Sequence, residues 1–155
     1  MPDTTPDLPA LPVTFRPGRT RAVLTVLAVF AFAAVTAVGM LLDGLGIGER
    51  LSFVLTALLL AGVLFLLARP HVTADETGVT VVNLTAKRRL AWAEIIRVNL
   101  RQGDPWAFLD LSDGSSLPAL GIQPGIARQR AIQDARALRA LVEARSTATP
   151  EAPRG

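Results

Sequence analysis

Apolar and polar positions alternate in two different ways along this chain, and the change comes at Pro70. Before it, residues 22–42 and 51–68 are two runs without a single charge. At about 1.5 Å rise per residue they reach roughly 31 and 27 Å as helices, close to the ~30 Å hydrocarbon core of a bilayer. The segment between them, residues 43–50, is short, glycine-rich and charged at both ends, which suits a tight reversal. A transmembrane helical hairpin is therefore expected over residues 19–69.

Two other readings of the apolar runs compete with this one, the first less favoured and the second failing on surface area. A signal peptide with Ala31-Phe32-Ala33 as its cleavage site does not account for the apolar residues that continue past it, nor for the second run. Two core helices of a soluble protein would need wrapping, and roughly 80 other residues cannot cover helices that are apolar on every side. The polar side chains inside the spans are Thr25, Thr36, Ser52 and Thr56, whose hydroxyls are expected to bond back to their own helices. No ionisable residue sits at membrane depth, so nothing marks an ion or proton pathway. Ala33/Ala37 and Ala57/Ala61 have the small-residue spacing that permits close helix contact.

After Pro70 the pattern turns to short β-type runs separated by turn signals. Residues 71–74 and the β-branched run 79–84 flank Asp75-Glu76-Thr77-Gly78 and predict a hairpin. A strand follows over 88–92, and in the next one Ile96, Val98 and Leu100 alternate with Arg97, Asn99 and Arg101, the period of a half-buried strand. Beyond the turn Gln102-Gly103-Asp104-Pro105, residues 106–112 and 116–122 flank Asp113-Gly114, a strong two-residue hairpin signal. Pro118 marks that last strand as an edge or a bulge. Ala131, Ala135, Leu138 and Leu141/Val142 then recur at helical spacing, with Arg128, Arg136 and Arg139 elsewhere on the cylinder. The expected fold class is α+β: the hairpin, then five or six antiparallel strands over 70–145 with one amphipathic helix closing the sheet. Residues 1–18, with five prolines, and 146–155 read as flexible tails.

Charge orients this arrangement. Arg16, Arg19 and Arg21 precede the first span and Arg69 follows the second, against Arg50 alone in the loop, so both termini are expected in the cytoplasm. The whole chain carries 16 basic and 13 acidic residues for a net charge of +3, far from the dense basic stripe of a nucleic-acid binder. Mean hydropathy is +0.40, with the excess concentrated in the two spans. Cysteine is absent, which excludes disulfides, thiolate metal sites and thiol nucleophiles.

Few residues carry chemistry. His71 is the lone histidine and has no cysteine or second histidine with which to build a usual metal site. Asp104 and Asp113 occupy turn positions that favour aspartate for its own backbone bonds, which argues against reading them with Asp110 as paired acids. Gly44-Leu45-Gly46-Ile47-Gly48 imitates a phosphate loop but has no preceding strand. Trp92 and Ile95 in Trp92-Ala93-Glu94-Ile95 are expected in the core, where the segment turns the chain between strands. Asn83-Leu84-Thr85 matches a glycosylation sequon that should stay unmodified in the cytoplasm.

Taken together, Thr77-Gly78-Val79-Thr80-Val81, Arg89-Leu90-Ala91-Trp92-Ala93-Glu94-Ile95, Leu109-Asp110-Leu111-Ser112-Asp113-Gly114 and Leu117-Pro118-Ala119 resemble the bacterial PH-like (pleckstrin-homology-like) domain of the actinobacterial low-molecular-weight protein antigen six family. The similarity covers about residues 50–125, and its motifs mark strands and turns. It implies a PH-like barrel or sheet capped by the C-terminal helix, and no catalytic residues.

The resulting expectation is a membrane-anchored binding or scaffolding module on the cytoplasmic face of the plasma membrane, with no enzymatic activity, cofactor, metal, nucleic acid or small-molecule substrate. Its partners would be the lipid bilayer, a protein partner or a second copy of itself. The alternative is an accessory subunit of a cell-envelope enzyme or export complex. Arg69, Lys87, Arg88 and Arg89 are the expected contacts to anionic headgroups, each contributing on the order of 1 kcal/mol near such a surface.

Overall fold

A computed structural model describes residues 8–146, and these divide into two compact units, residues 18–69 and the remainder. The apolar unit is a helical hairpin. α1 (Gly18–Leu41) and α2 (Ile47–Leu67) are long and apolar enough to cross a membrane. Their seam is made of small residues: Ala28 and Gly39 on α1 and Ala57 and Ala61 on α2 are the buried positions. Gly39 is required there, because a Cβ at that position would meet Phe53 Cβ at 2.5 Å. Ala57/Ala61 thus lie in the contact, whereas Ala33 and Ala37 face outward.

The reversal is held by Arg50. Its Nη1 donates to Met40 O at 3.0 Å and its Nε to Leu45 O at 3.3 Å, satisfying a carbonyl at the C-terminal end of α1 and one in the loop. Glu49 accepts the Gly46 N–H at 2.7 Å and so caps the start of α2. Ser52 Oγ bonds back to Gly48 O at 3.1 Å as expected, but the Thr36 hydroxyl is buried without a partner among the described residues.

Among the described residues, the second unit carries seven strands, one long helix and two one-turn helices. β1 (Val13–Phe15), β2 (His71–Asp75), β3 (Gly78–Val82) and β4 (Lys87–Ala91) form one antiparallel sheet in that order. β5 (Ile95–Asn99), β6 (Ala107–Leu111) and β7 (Ser116–Ala119) form another. α3 (Arg128–Ser146) buries Ala131, Ala135, Leu138, Leu141 and Val142 in the core shared with both sheets. The sheets do not close into a barrel, because the one-turn helix Trp92–Glu94 bends the chain between β4 and β5 and no ladder joins them. Trp92 fills that corner, and its indole N–H donates to Asp75 O at 3.1 Å.

Two details of the second unit depart from the sequence reading. Residues 13–15 are a strand, not part of a flexible tail: Phe15 pairs with Val72 and is buried in the core, while residues 1–7 and 147–155 of the expected tails lie outside the described residues. The alternation in β5 is broken by a register shift between Ile95 and Arg97. Ile95 and Val98 therefore both point inward, and Ile96 is left 64% exposed.

An arginine-lined cleft on the β domain

The basic triplet lies on β4, where successive side chains take opposite faces. Arg88 pairs across the ladder with Val81, and Arg89 with Thr80, so Lys87 and Arg89 share one face and Arg88 takes the other. Arg89 is occupied: Nη1 and Nη2 reach the two carboxylate oxygens of Asp75 at 2.9 and 2.8 Å, and the guanidinium also bonds Thr80 and Thr77. This bidentate pairing, reinforced by the Thr77 hydroxyl and N–H, holds the Asp75 carboxyl far below the ordinary carboxylate range and raises the Arg89 pKa. Arg88 stands 3.8 Å from Asp113, whose pKa is lowered first by the Ser115 hydroxyl and N–H and then by Arg88. Lys87 is exposed at the start of β4, and Arg69 belongs to the helical unit. The triplet is thus divided among a structural ion pair, a loose pair and one exposed amine.

A larger basic feature lies elsewhere. A cleft of about 640 Å³ opens between the turn after β5 and the first turns of α3. Arg101, Arg128, Arg136 and Arg139 line it against a single acid, Asp104, whose carboxylate is already committed to the Arg101 backbone N–H at 2.8 Å. Leu100, Ile132 and Ala135 supply apolar lining. A second cleft of about 520 Å³ continues along β5 and shares Arg139. Local geometry explains the arrangement. Arg128, Ile132, Arg136 and Arg139 follow one another at intervals of four, four and three on α3, a stripe beside the buried face. Arg139 is fixed by donating from Nε and Nη2 to Val98 O at 3.2 and 2.8 Å, which ties the helix to β5. On the same helix, Asp134 has its pKa raised by partial burial.

The sequence reading placed Arg128, Arg136 and Arg139 off the apolar face of α3 but did not join them to Arg101, which lies far away along the chain. One local signal was present: α3 opens on Arg128 and Arg130 with no acid in its first turn, the reverse of the usual preference at a helix N-terminus. Among the described residues, no group of three His, Cys, Asp or Glu side chains is placed to hold a metal ion.

Comparison with known proteins agrees with this domain. Uncharacterised proteins of Mycobacterium tuberculosis and Mycobacterium bovis are each 35% identical over 85 residues, covering 55% of this chain and 54% of theirs. The chain thus spans about half the length of the curated relatives it matches. No solved structure matches. Residues 69–141, which take in β2 to β7 and most of α3, match the family described as Bacterial PH domain.

Proposed function

We propose that this chain is a membrane-tethered PH-type binding module, which holds its β domain at the cytoplasmic face of a plasma membrane and there engages a partner protein. The observation that carries the reading is the pairing of a match to a bacterial PH domain with two helices whose large apolar side chains stay exposed, Phe30, Leu41, Leu51 and Leu59 among them. Water does not tolerate that much apolar surface on a helix pair, whereas lipid does. The domain is tethered twice, because Arg16 and Pro17 alone separate β1 from α1, and Ala68, Arg69 and Pro70 alone separate α2 from β2. Kinship with the antigen six proteins belongs to the same proposal and rests on the strand and turn motifs.

Direct headgroup contact is a second reading, favoured by the exposure of Lys87 and Arg88 on an edge strand, with Arg69 as a further contact. Arg89 adds little to it, because Asp75 already neutralises that guanidinium. Purification of the full chain from native membranes tests the main reading. Retention in the membrane after alkaline carbonate, together with a stoichiometric protein partner, supports it. Release by carbonate, or a chain that comes off the membrane alone, refutes it.

A further inference from the structure

We propose that the cleft between the β5–β6 turn and α3 takes an extended acidic segment of a partner protein, with carboxylates on the arginines and apolar side chains against Leu100, Ile132 and Ala135. This deepens the binding-module reading and rests on it. Arg101, Arg128 and Arg136 form no ion pair among the described residues, and the only acid in the lining is bonded to backbone. Arg128 stands at the positive end of the α3 dipole, where a cation is disfavoured until an anion arrives. Size selects the ligand class. From Arg128 to Arg139 the helix rises about 16 Å, a span no single phosphate bridges but one that about five residues of extended chain match. The adjoining cleft along β5 shares Arg139, adds Arg97 beside one acid, Glu143, and has Ile96 exposed at its border. Guanidinium groups suit such a ligand because they grip carboxylates with two parallel hydrogen bonds.

Selection of a random twelve-residue peptide display library on the full chain in detergent micelles tests the proposal. Enriched peptides should combine Asp or Glu with apolar residues. Their affinity should fall at least tenfold for R128Q/R136Q, stay within twofold for K87Q/R88Q, and weaken as salt is raised. All four substituted residues are exposed, and tryptophan fluorescence melts will show whether each variant keeps its fold. No enrichment, enrichment without acids, or equal binding to R128Q/R136Q overturns the proposal. So does displacement of the peptides by glycerol phosphate or inorganic phosphate at matched ionic strength, which would give the cleft to a phosphate group. The two readings fail separately: a native partner that co-purifies equally with R128Q/R136Q leaves the module intact and removes the cleft, whereas wild-type chain without any partner removes the module.

Discussion

Asn83 reaches across from the end of β3 to Leu120, accepting that residue's backbone N–H on Oδ1 at 3.1 Å while its Nδ2 donates to Pro118 O at 2.8 Å. One carboxamide thereby joins the first sheet to the edge strand of the second, at a place where no ladder connects them. Removing it leaves a partly buried N–H and C=O without their partner. Asn83→Ala should cost about 1–3 kcal/mol, the usual penalty for stranding such groups. Both tryptophans, Trp92 and Trp106, lie in this domain, so a urea titration of the full chain followed by tryptophan fluorescence reads the loss directly. An unchanged midpoint would show that the sheets are held together without this bridge.

The Asp75–Arg89 pair gives the domain a defined acid limb. Because the folded Asp75 carboxyl titrates well below its unfolded value of about 3.9, the unfolded chain takes up the proton first as pH falls. Its stabilisation is therefore complete above about pH 5, starts to fade as pH drops through the unfolded value, and is gone below the folded one. Asp113 works in the same direction more weakly, and Asp134, raised by partial burial, in the opposite one. Asp75→Asn should lower the urea midpoint at pH 7 and flatten its decline between pH 5 and 3. Asp134→Asn should raise the midpoint at pH 7. Curves for Asp75→Asn parallel to wild type would remove the pair from the acid response.

Much of this architecture was legible because it depends on local rules. The periodicity of 131, 135, 138 and 141/142 picked out the buried face of α3 residue by residue. Asp113-Gly114 located the β6–β7 turn, and Pro118 marked β7 as the edge strand it is. What escaped depends on distant partners. Val13-Thr14-Phe15 is too short, and too close to Pro12 and Pro17, to read as a strand until β2 offers its open edge. The β5 bulge is silent too: the Trp92–Ile95 segment rightly points Ile95 inward and the alternation wrongly points Ile96 inward, and only the pairing of Ile95 with Leu111 and Arg97 with Asp110 turns Ile96 out. The arginine cleft has the same character: Arg101 meets the α3 stripe only after the sheet has folded.

Gly39 and Gly62 make a controlled comparison within the hairpin. Both interrupt a long apolar helix, but a Cβ at Gly39 strikes Phe53 whereas one at Gly62 meets nothing within 4 Å. Gly39→Val should push the helices apart and Gly62→Val should not, as close packing at small residues is the main attraction between helices in lipid. Spin labels on cysteines introduced near the ends of α1 and α2 will report this as a longer, broader distance distribution in Gly39→Val only, and the absence of native cysteine keeps the labelling clean. Identical distributions in the two variants would mean that Gly39 does not set the seam.

Orientation in the membrane should turn on the arginines just before and within the first turn of α1. Arg16, Arg19, Arg21 and Arg69 flank the hairpin on one side, and Arg50 stands on the other, in the segment that also carries Asp43 and Glu49, with its guanidinium bonded to Met40 O at the end of α1 and to Leu45 O in the loop. Under the positive-inside rule the margin is four to one, and it places the loop outside. A maleimide that cannot cross membranes should therefore label Asp43→Cys on intact cells, since that residue is exposed in the reversal. Replacing Arg16, Arg19 and Arg21 with glutamine reduces the margin to one against one, and labelling of the same cysteine should fall as part of the population inserts the other way round. Adding Arg50→Gln to that variant removes the opposing charge and should restore the signal. The rescue separates charge from damage to the first helix: if labelling stays low once Arg50→Gln is added, or never appears in Asp43→Cys with its arginines intact, the cytoplasmic placement of the β domain is wrong.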